Sequence, residues 1–266
     1  MSPLASLPSP PFNTFPLGPL HVHVYGVLIA VAAVMAVRWT ARRREAGGGE
    51  PGAVEAVAVW ALPAGFVGAR LYHVATDPEL FRGHWLDVFA VWRGGLGIWG
   101  GVAGGVLAGA VVARRRGFDL GRLLDAAAPA IPLAQAIGRW ANWFNQELFG
   151  RPTGLPWGLR IDPAHRPAGY EHVATFHPTF LYESLWDLAV VAIVLAVERR
   201  LRLPPGRLFV VYVVAYTFGR FFVELLRIDT SHRMLGLRLN DWTSIVVFVG
   251  GVLVLCRRPV RRRADA

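Results

Sequence analysis

The sequence predicts an all-α integral membrane protein: a bundle of seven transmembrane helices with an outer arm or small head. Three observations lead there. Seven apolar segments divide the chain. Of its 266 residues, 54% are hydrophobic and only 17% charged, where a soluble domain carries about 25% charged residues; the mean hydropathy is +0.39. The 28 basic residues, all Arg, gather at the ends of the apolar segments. A net charge of +10 invites a nucleic-acid reading, but this distribution is the orientation signal of membrane proteins and not a DNA-binding stripe.

The first 20 residues are Pro-rich and carry no positive charge, so they lack the pattern of a cleaved signal peptide. They read as an outer N-terminal segment on the surface, ending near His21 and His23. The seven segments run over 24–37, 53–75, 96–113, 120–144, 179–197, 208–226 and 242–255. The first and last are short for a span of about 20 residues and borrow flanking positions. Pro63, Pro129 and Pro132 predict kinks in the second and fourth. The loops 38–44, 114–122, 199–207 and 257–263 hold 17 arginines and the opposite loops 7, which puts the N-terminus outside and the C-terminus in the cytoplasm. Residues 149–178 are too long and too rich in Pro and Gly for a simple connector and predict an outer arm or head. Residues 257–266 form a basic cytoplasmic tail, and 1–266 read as one membrane domain. The lone Cys256 excludes an internal disulfide and reads as inert filler.

Polar residues inside these segments mark the candidate site. The stretch Ile137-Gly-Arg-Trp-Ala-Asn-Trp-Phe-Asn-Gln-Glu-Leu-Phe-Gly150 places Arg139, Asn142 and Gln146 on one helical face, with Asn145 and Glu147 beside it. Such groups are costly at membrane depth unless something polar meets them. In the sixth segment Tyr216, Arg220, Glu224 and Arg227 recur on a second face. An Arg220–Glu224 pair that merely neutralises itself is one explanation. The other is that the excess of Arg asks for an anion, which at this depth is a phospholipid headgroup. The orientation brings Tyr25, Arg70, Tyr216 and the Gly-rich run that contains Trp99 to the same outer depth. The glycines of that run serve close helix packing or admit a lipid; the residues leave both open. No Cys/His pattern has metal-ligand spacing and no Ser sits in a nucleophile elbow, so no cofactor is expected. A transporter predicts an internal repeat or a charged path through the inner halves of the segments, and neither is visible. A non-catalytic membrane scaffold leaves the Arg excess unexplained.

The run Gly138 to Arg151 resembles the signature of the prolipoprotein diacylglyceryl transferases. Further agreement lies in His23-Val-Tyr-Gly26, Gly68-Ala-Arg-Leu-Tyr72, Val91-Trp-Arg-Gly-Gly-Leu96, His177-Pro-Thr-Phe-Leu-Tyr-Glu183 and the stretch from Tyr216 to Arg227. The resemblance implies a seven-span enzyme of the bacterial plasma membrane. Such an enzyme moves the diacylglyceryl group of phosphatidylglycerol to the thiol of a lipobox cysteine in a preprolipoprotein. A thioether forms and glycerol phosphate leaves. The resemblance assigns phosphatidylglycerol binding to Arg139, matches Asn142, Glu147 and Gly150 to other functional positions, and matches Tyr25, Arg220 and Glu224 to essential polar residues. Arg70, Tyr216 and Trp99 complete the expected lipid-binding set. One departure stands out: many members have His where this chain has Trp99, so the group that activates the thiol is left unassigned.

Overall fold

A computed structural model describes residues 6–18, 20–91, 94–229, 233–257 and 261–262. Trp92, Arg93 and most of the expected basic tail lie outside the described residues, as do the first five. Among the described residues the chain begins with a hairpin of β1 (Thr14–Leu17) and β2 (Leu20–His23). There follow α1 (Val24–Ala46), α2 (Ala53–Thr76), two 3-10 turns (Pro78–Phe81 and Trp85–Phe89), α3 (Ile98–Arg115), α4 (Leu120–Ala127) and α5 (Ala130–Asn145). Antiparallel β3 (Leu159–Arg160) and β4 (Thr175–Phe176) lie in the long insertion. Then come α6 (Thr179–Arg200), β5 (Leu201–Arg202), α7 (Arg207–Leu226), the ribbon β6 (Arg233–Met234) and β7 (Leu237–Arg238), and α8 (Leu239–Cys256). A last strand, β8 (Arg261–Arg262), pairs with β5.

The described residues are all-helical apart from these short ribbons. Among them five helices, α1, α2, α6, α7 and α8, are long and apolar enough to cross a membrane. Their outward residues are apolar too, among them Val59, Trp60, Leu71, Val246 and Leu253. A bilayer calls for that surface and water opposes it. The chain is thus a multi-pass membrane protein. Of the other expected spans, α3 is rich in Gly and ends on two arginines, and α5 has 16 residues.

The fourth apolar segment is a correction. It is two helices, α4 and α5, broken at Ala128-Pro129. A proline has no amide hydrogen and its ring crowds the carbonyl four residues back. Pro129 therefore caps α5, and Pro132 falls in the first turn, where the missing N–H has no helical acceptor to lose. By contrast α2 continues through Pro63.

The chain divides into two compact units. The unit of residues 39–126 is built on α2 and α3, whose backbones meet at glycines. A Cβ at Gly68 would strike the Gly100 carbonyl, one at Gly100 would strike that of Gly68, and one at Gly104 would strike that of Ala64. Close packing therefore accounts for the Gly-rich run.

The second unit contains residues up to Arg38 and those from Ala127 onward. Here α5, α6 and α7 pack in sequence and α8 packs on α7. Val190, Val194, Leu208 and Tyr212 form a core between α6 and α7. Trp140 of α5 donates to Ser184 Oγ at 3.1 Å, and that hydroxyl donates back to Ala136 O at 3.0 Å, fastening α5 to α6. The insertion has its own apolar cluster of Phe149, Leu159, Ile161, Phe176 and Phe180. Leu7 bridges to Leu159 from the N-terminal segment, and Trp143 Nε1 donates to Pro8 O at 3.0 Å.

Candidate active site

Three helices of the larger unit each contribute a charge to one chain of ion pairs. Arg139 sits on α5, Glu183 on α6, and Arg220 with Glu224 on α7. Glu183 is shared: Arg139 Nε pairs with its Oε2 and Arg220 Nη1 with its Oε1 at 2.6 Å. Arg220 Nη2 then reaches Glu224 Oε2 at 2.6 Å. Glu224 is 0% exposed. Its Oε1 also accepts from Arg238 Nε at 3.1 Å and from Asn240 Nδ2 at 3.1 Å, and Arg227 stands 3.7 Å from Oε2. The chain ends at Asp229, which Arg227 grips with two nitrogens, at 2.7 and 2.9 Å, and Arg238 with one at 2.7 Å. Burial pushes the Asp229 carboxyl up, but the hydrogen bonds and charges of Arg227 and Arg238 outweigh it and hold it below the usual carboxylate range.

This geometry corrects the expected charge surplus. Arg139, Arg220, Arg227 and Arg238 face Glu183, Glu224 and Asp229 directly, and Asp187 lies within electrostatic reach of Arg139 and Arg220. Carboxylates from α6 and from the loop after α7 hold the arginines. Such pairing offsets the cost of burying the guanidinia and fixes their direction. Arg227 is also not on the α7 stripe: it is the C-cap, with extended backbone at ψ 145°.

Arg139, Glu183, Asp187, Tyr216 and Arg220 line a small pocket between the helices. Tyr216 lies within electrostatic reach of Arg139. Gly219 makes room for this wall, because the Trp186 indole lies where its Cβ would be and donates to Ala215 O at 3.0 Å. A second pocket is lined by Arg151, Tyr170, Glu224, Arg227, Arg238 and Asp241.

Past α5 the signature turns sharply. Gln146 and Leu148 have φ of 51° and 58°, the left-handed region that non-glycine residues seldom adopt. Hydrogen bonds hold this turn. Gln146 Nε2 donates to Asp162 Oδ2 at 2.6 Å, and its Oε1 accepts from the Asp162 amide at 2.8 Å. Asn142 and Asn145 both donate to Glu147 Oε1, at 2.9 and 3.2 Å. Tyr25, at the start of α1, lies within electrostatic reach of Glu147 and Arg139. Gly150 is where the turn crosses α6 and α7. A Cβ there would lie 2.8 Å from His177 Cβ and 3.1 Å from Leu226 O.

The larger unit thus brings together Tyr25, Arg139, Asn142, Glu147, Gly150, Tyr216, Arg220 and Glu224. Arg70 and Trp99 belong to the other unit. Arg70 is buried and gives four of its five N–H groups to backbone carbonyls: Val88 at 2.7 Å, Asp87 at 2.5 Å, and Gly94 and Gly95 at 2.7 and 2.9 Å. Its guanidinium also lies over Phe81. Trp99 is in the first turn of α3 and partly exposed. Among the described residues no group of three or more His, Cys, Asp or Glu could hold a metal ion.

Glu183, Asp187, Asp229 and Arg238 did not emerge from the sequence as site residues. For Glu183 and Asp187 a signal existed: two carboxylates at i and i+4 inside an apolar helix. Asp229 and Arg238 arrive through a loop, and no spacing rule reaches them.

The model of the family described as prolipoprotein diacylglyceryl transferase matches residues 13–257. The chain is 54% identical over 261 residues to a phosphatidylglycerol–prolipoprotein diacylglyceryl transferase of Frankia alni, covering 96% of this chain and 69% of that one. It is 52% identical over 255 residues to an enzyme of that name, numbered 2, from Streptomyces coelicolor, covering 95% and 80% of the two chains. A relative of the same name from Cutibacterium acnes is 52% identical over 253 residues, with 94% and 86% covered.

Proposed function

Since this chain belongs to the prolipoprotein diacylglyceryl transferase family, we propose that it transfers the diacylglyceryl group of phosphatidylglycerol to a prolipoprotein cysteine. The observation that carries the reading is the Arg139–Glu183–Arg220 bridge on the wall of a small pocket. Two guanidinia from different helices, held by one carboxylate, are preset to receive a phosphate.

In the proposed step the thiol sulfur attacks the glycerol carbon that bears the phosphate. The S–C bond forms and the C–O bond breaks. Its electron pair goes to the phosphate oxygen, and the thiol proton passes to solvent. Charge grows on the leaving phosphate, so the protein's contribution is a donor array that is stronger there than in the ground state. Arg139 and Arg220 supply the donors. Glu183 positions both, Tyr216 supports Arg139, and Glu224 anchors Arg220 from the other side. Asn142 and Glu147, with Tyr25 near them, shape the lipid entrance, and Gly150 lets the turn close. Tyr25 borders the path of the acyl glycerol in the larger unit, and Trp99 is a lipid contact of its own unit. Arg70, held by carbonyls, keeps the loop after α2 in place rather than binding lipid. The nucleophile and the leaving group come from the substrates, so the step needs no cofactor and no Cys of the enzyme.

The proposal extends to the setting. Residues 1–266 act as one membrane domain of seven spans in the bacterial plasma membrane, with α3 and the α4–α5 pair counted as spans. The N-terminal segment and residues 149–178 lie outside as a small head, and the Arg-rich loops and tail lie in the cytoplasm. No nucleic acid takes part. The test is an assay of purified protein with phosphatidylglycerol vesicles and a lipobox peptide. A thioether-linked diacylglyceryl peptide and free glycerol phosphate are expected in equal amounts. Intact peptide, or acyl transfer without glycerol phosphate, overturns the reading.

A further inference from the structure

The chain of ion pairs leaves one carboxylate aside. Asp187 lies one helical turn beyond Glu183 on α6 and is 2% exposed. It lines the same pocket as Arg139, Glu183, Tyr216 and Arg220. Its Oδ2 is buried and has no hydrogen-bond partner among the described residues. Buried polar atoms without partners are few in folded proteins, and each such atom wants an explanation. Other side chains fasten α6 to its neighbours: Trp186 holds α7, Ser184 holds α5, and Val190 and Val194 fill the core.

Two kinds of group line this water-sized pocket. The guanidinia of Arg139 and Arg220 are donors and suit an anion. Asp187 Oδ2 is an acceptor and suits a neutral donor such as a hydroxyl. Residues at i and i+4 have Cβ atoms about 5–6 Å apart. The donor is therefore expected a short carbon chain beyond the group that meets the arginines. A phosphoglycerol headgroup fits that description: an anionic phosphate with hydroxyls on the carbons beyond it. We infer that Asp187 is the specificity residue of the site and accepts a hydrogen bond from a hydroxyl of the headgroup glycerol. The inference rests on the phosphate-clamp reading of Arg139 and Arg220. It also has a consequence for the reaction. With the leaving glycerol phosphate held at both ends, the C–O bond that breaks is kept in a fixed direction for attack from the opposite side.

The test compares phosphatidylglycerol with phosphatidylpropanol, which has the same charge and headgroup length but no hydroxyl. In the wild-type enzyme kcat/KM should favour phosphatidylglycerol by roughly tenfold or more, because the propyl headgroup leaves Oδ2 buried and unpaired. In Asp187→Leu, which has the same branched shape and no acceptor, the preference should fall to within about threefold. Asp187→Asn keeps one acceptor and should retain an intermediate preference, so the comparison survives if the Leu variant folds poorly. An unchanged ratio in Asp187→Leu, or no preference in the wild type, overturns the inference; a bound water that already satisfies Oδ2 would give the first result. Arg139→Lys serves as the control. Full activity of that variant on both lipids removes the phosphate clamp itself, whereas a dead Arg139→Lys beside an unchanged Asp187→Leu ratio removes only the role of Asp187.

Discussion

Arg220 on α7 donates to Glu183 Oε1 on α6 at 2.6 Å, and the other oxygen of that carboxylate is held by Arg139 of α5. One acid thus ties two arginines that the chain separates by 80 residues. The arginines are preset by this carboxylate, so that in the proposed reaction a phosphate would meet donors whose direction is already fixed. That preorganisation is where electrostatic catalysis gains most.

Glu224→Gln should chiefly cost stability. The side chain is 0% exposed and meets Arg220, Arg227, Arg238 and Asn240. Removing its charge leaves three guanidinia short of a partner, and breaking a buried pair on one side costs about 3–5 kcal/mol. Thermal unfolding in detergent should show a lower midpoint and reduced yield from membranes, with turnover falling alongside. Wild-type stability and rate together would place Glu224 outside the network's core.

Gly150→Ala should weaken the fold at the turn after α5. The added methyl would sit 2.8 Å from His177 Cβ and 3.1 Å from the Leu226 carbonyl. Overpacking of this kind costs about 1–3 kcal/mol. The expected result is a lowered unfolding temperature with loss of activity that partly recovers on cooling. A variant as stable and as active as wild type would mean that the crossing of the turn over α6 and α7 is looser than described.

Asp229 gives a pH dependence of stability. Its carboxyl is held below its unfolded value near 3.9 by Arg227 and Arg238, against the opposing effect of burial. A group with a depressed folded pKa contributes stability above the unfolded pKa and loses it as pH falls through the folded one. Asp229→Asn should therefore lower the unfolding temperature at neutral pH, and its difference from wild type should shrink below about pH 4. A difference that stays constant with pH would mean that the loss comes from packing and not from the charge.

The indole of Trp99 has one N–H donor and no basic lone pair, so it cannot take the proton of the incoming thiol. If thiolate is selected from solution, the rate should climb toward the thiol pKa near 8.5 and show no inflection near 6.5. Turnover measured from about pH 5.5 to 9 checks this, with His73→Gln and His177→Gln beside the wild type. An inflection near 6.5 that one of these variants abolishes would identify a histidine as the base.

The apolar runs made the long helices legible, because lipid demands the same residues along the whole span. The turn chemistry was less so. The 120–144 run reads as one segment, yet Pro129 and Pro132 divide it, since apolar composition is blind to the missing amide hydrogens. Arg139, Asn142, Arg220 and Glu224 stood out as polar groups at helical spacing, and the structure gathers them. Arg70 stood out for the same reason, but its partners are carbonyls of its own loop, and carbonyl direction leaves no trace in a side-chain pattern. The grip of Arg227 and Arg238 on Asp229 depends on the chain reversing between α7 and α8, a long-range consequence of the fold.

The central claim is that Arg139 and Arg220 hold the departing phosphate. The most direct measurement is the single-turnover rate of Arg139→Lys on phosphatidylglycerol vesicles with a lipobox peptide, with folding checked by thermal unfolding. Lys keeps the charge but loses the planar fork. The account predicts a folded protein whose rate of thioether formation falls by on the order of 10²–10³-fold, as when one donor to a developing anion is removed. A folded Arg139→Lys enzyme with a near wild-type rate would contradict it.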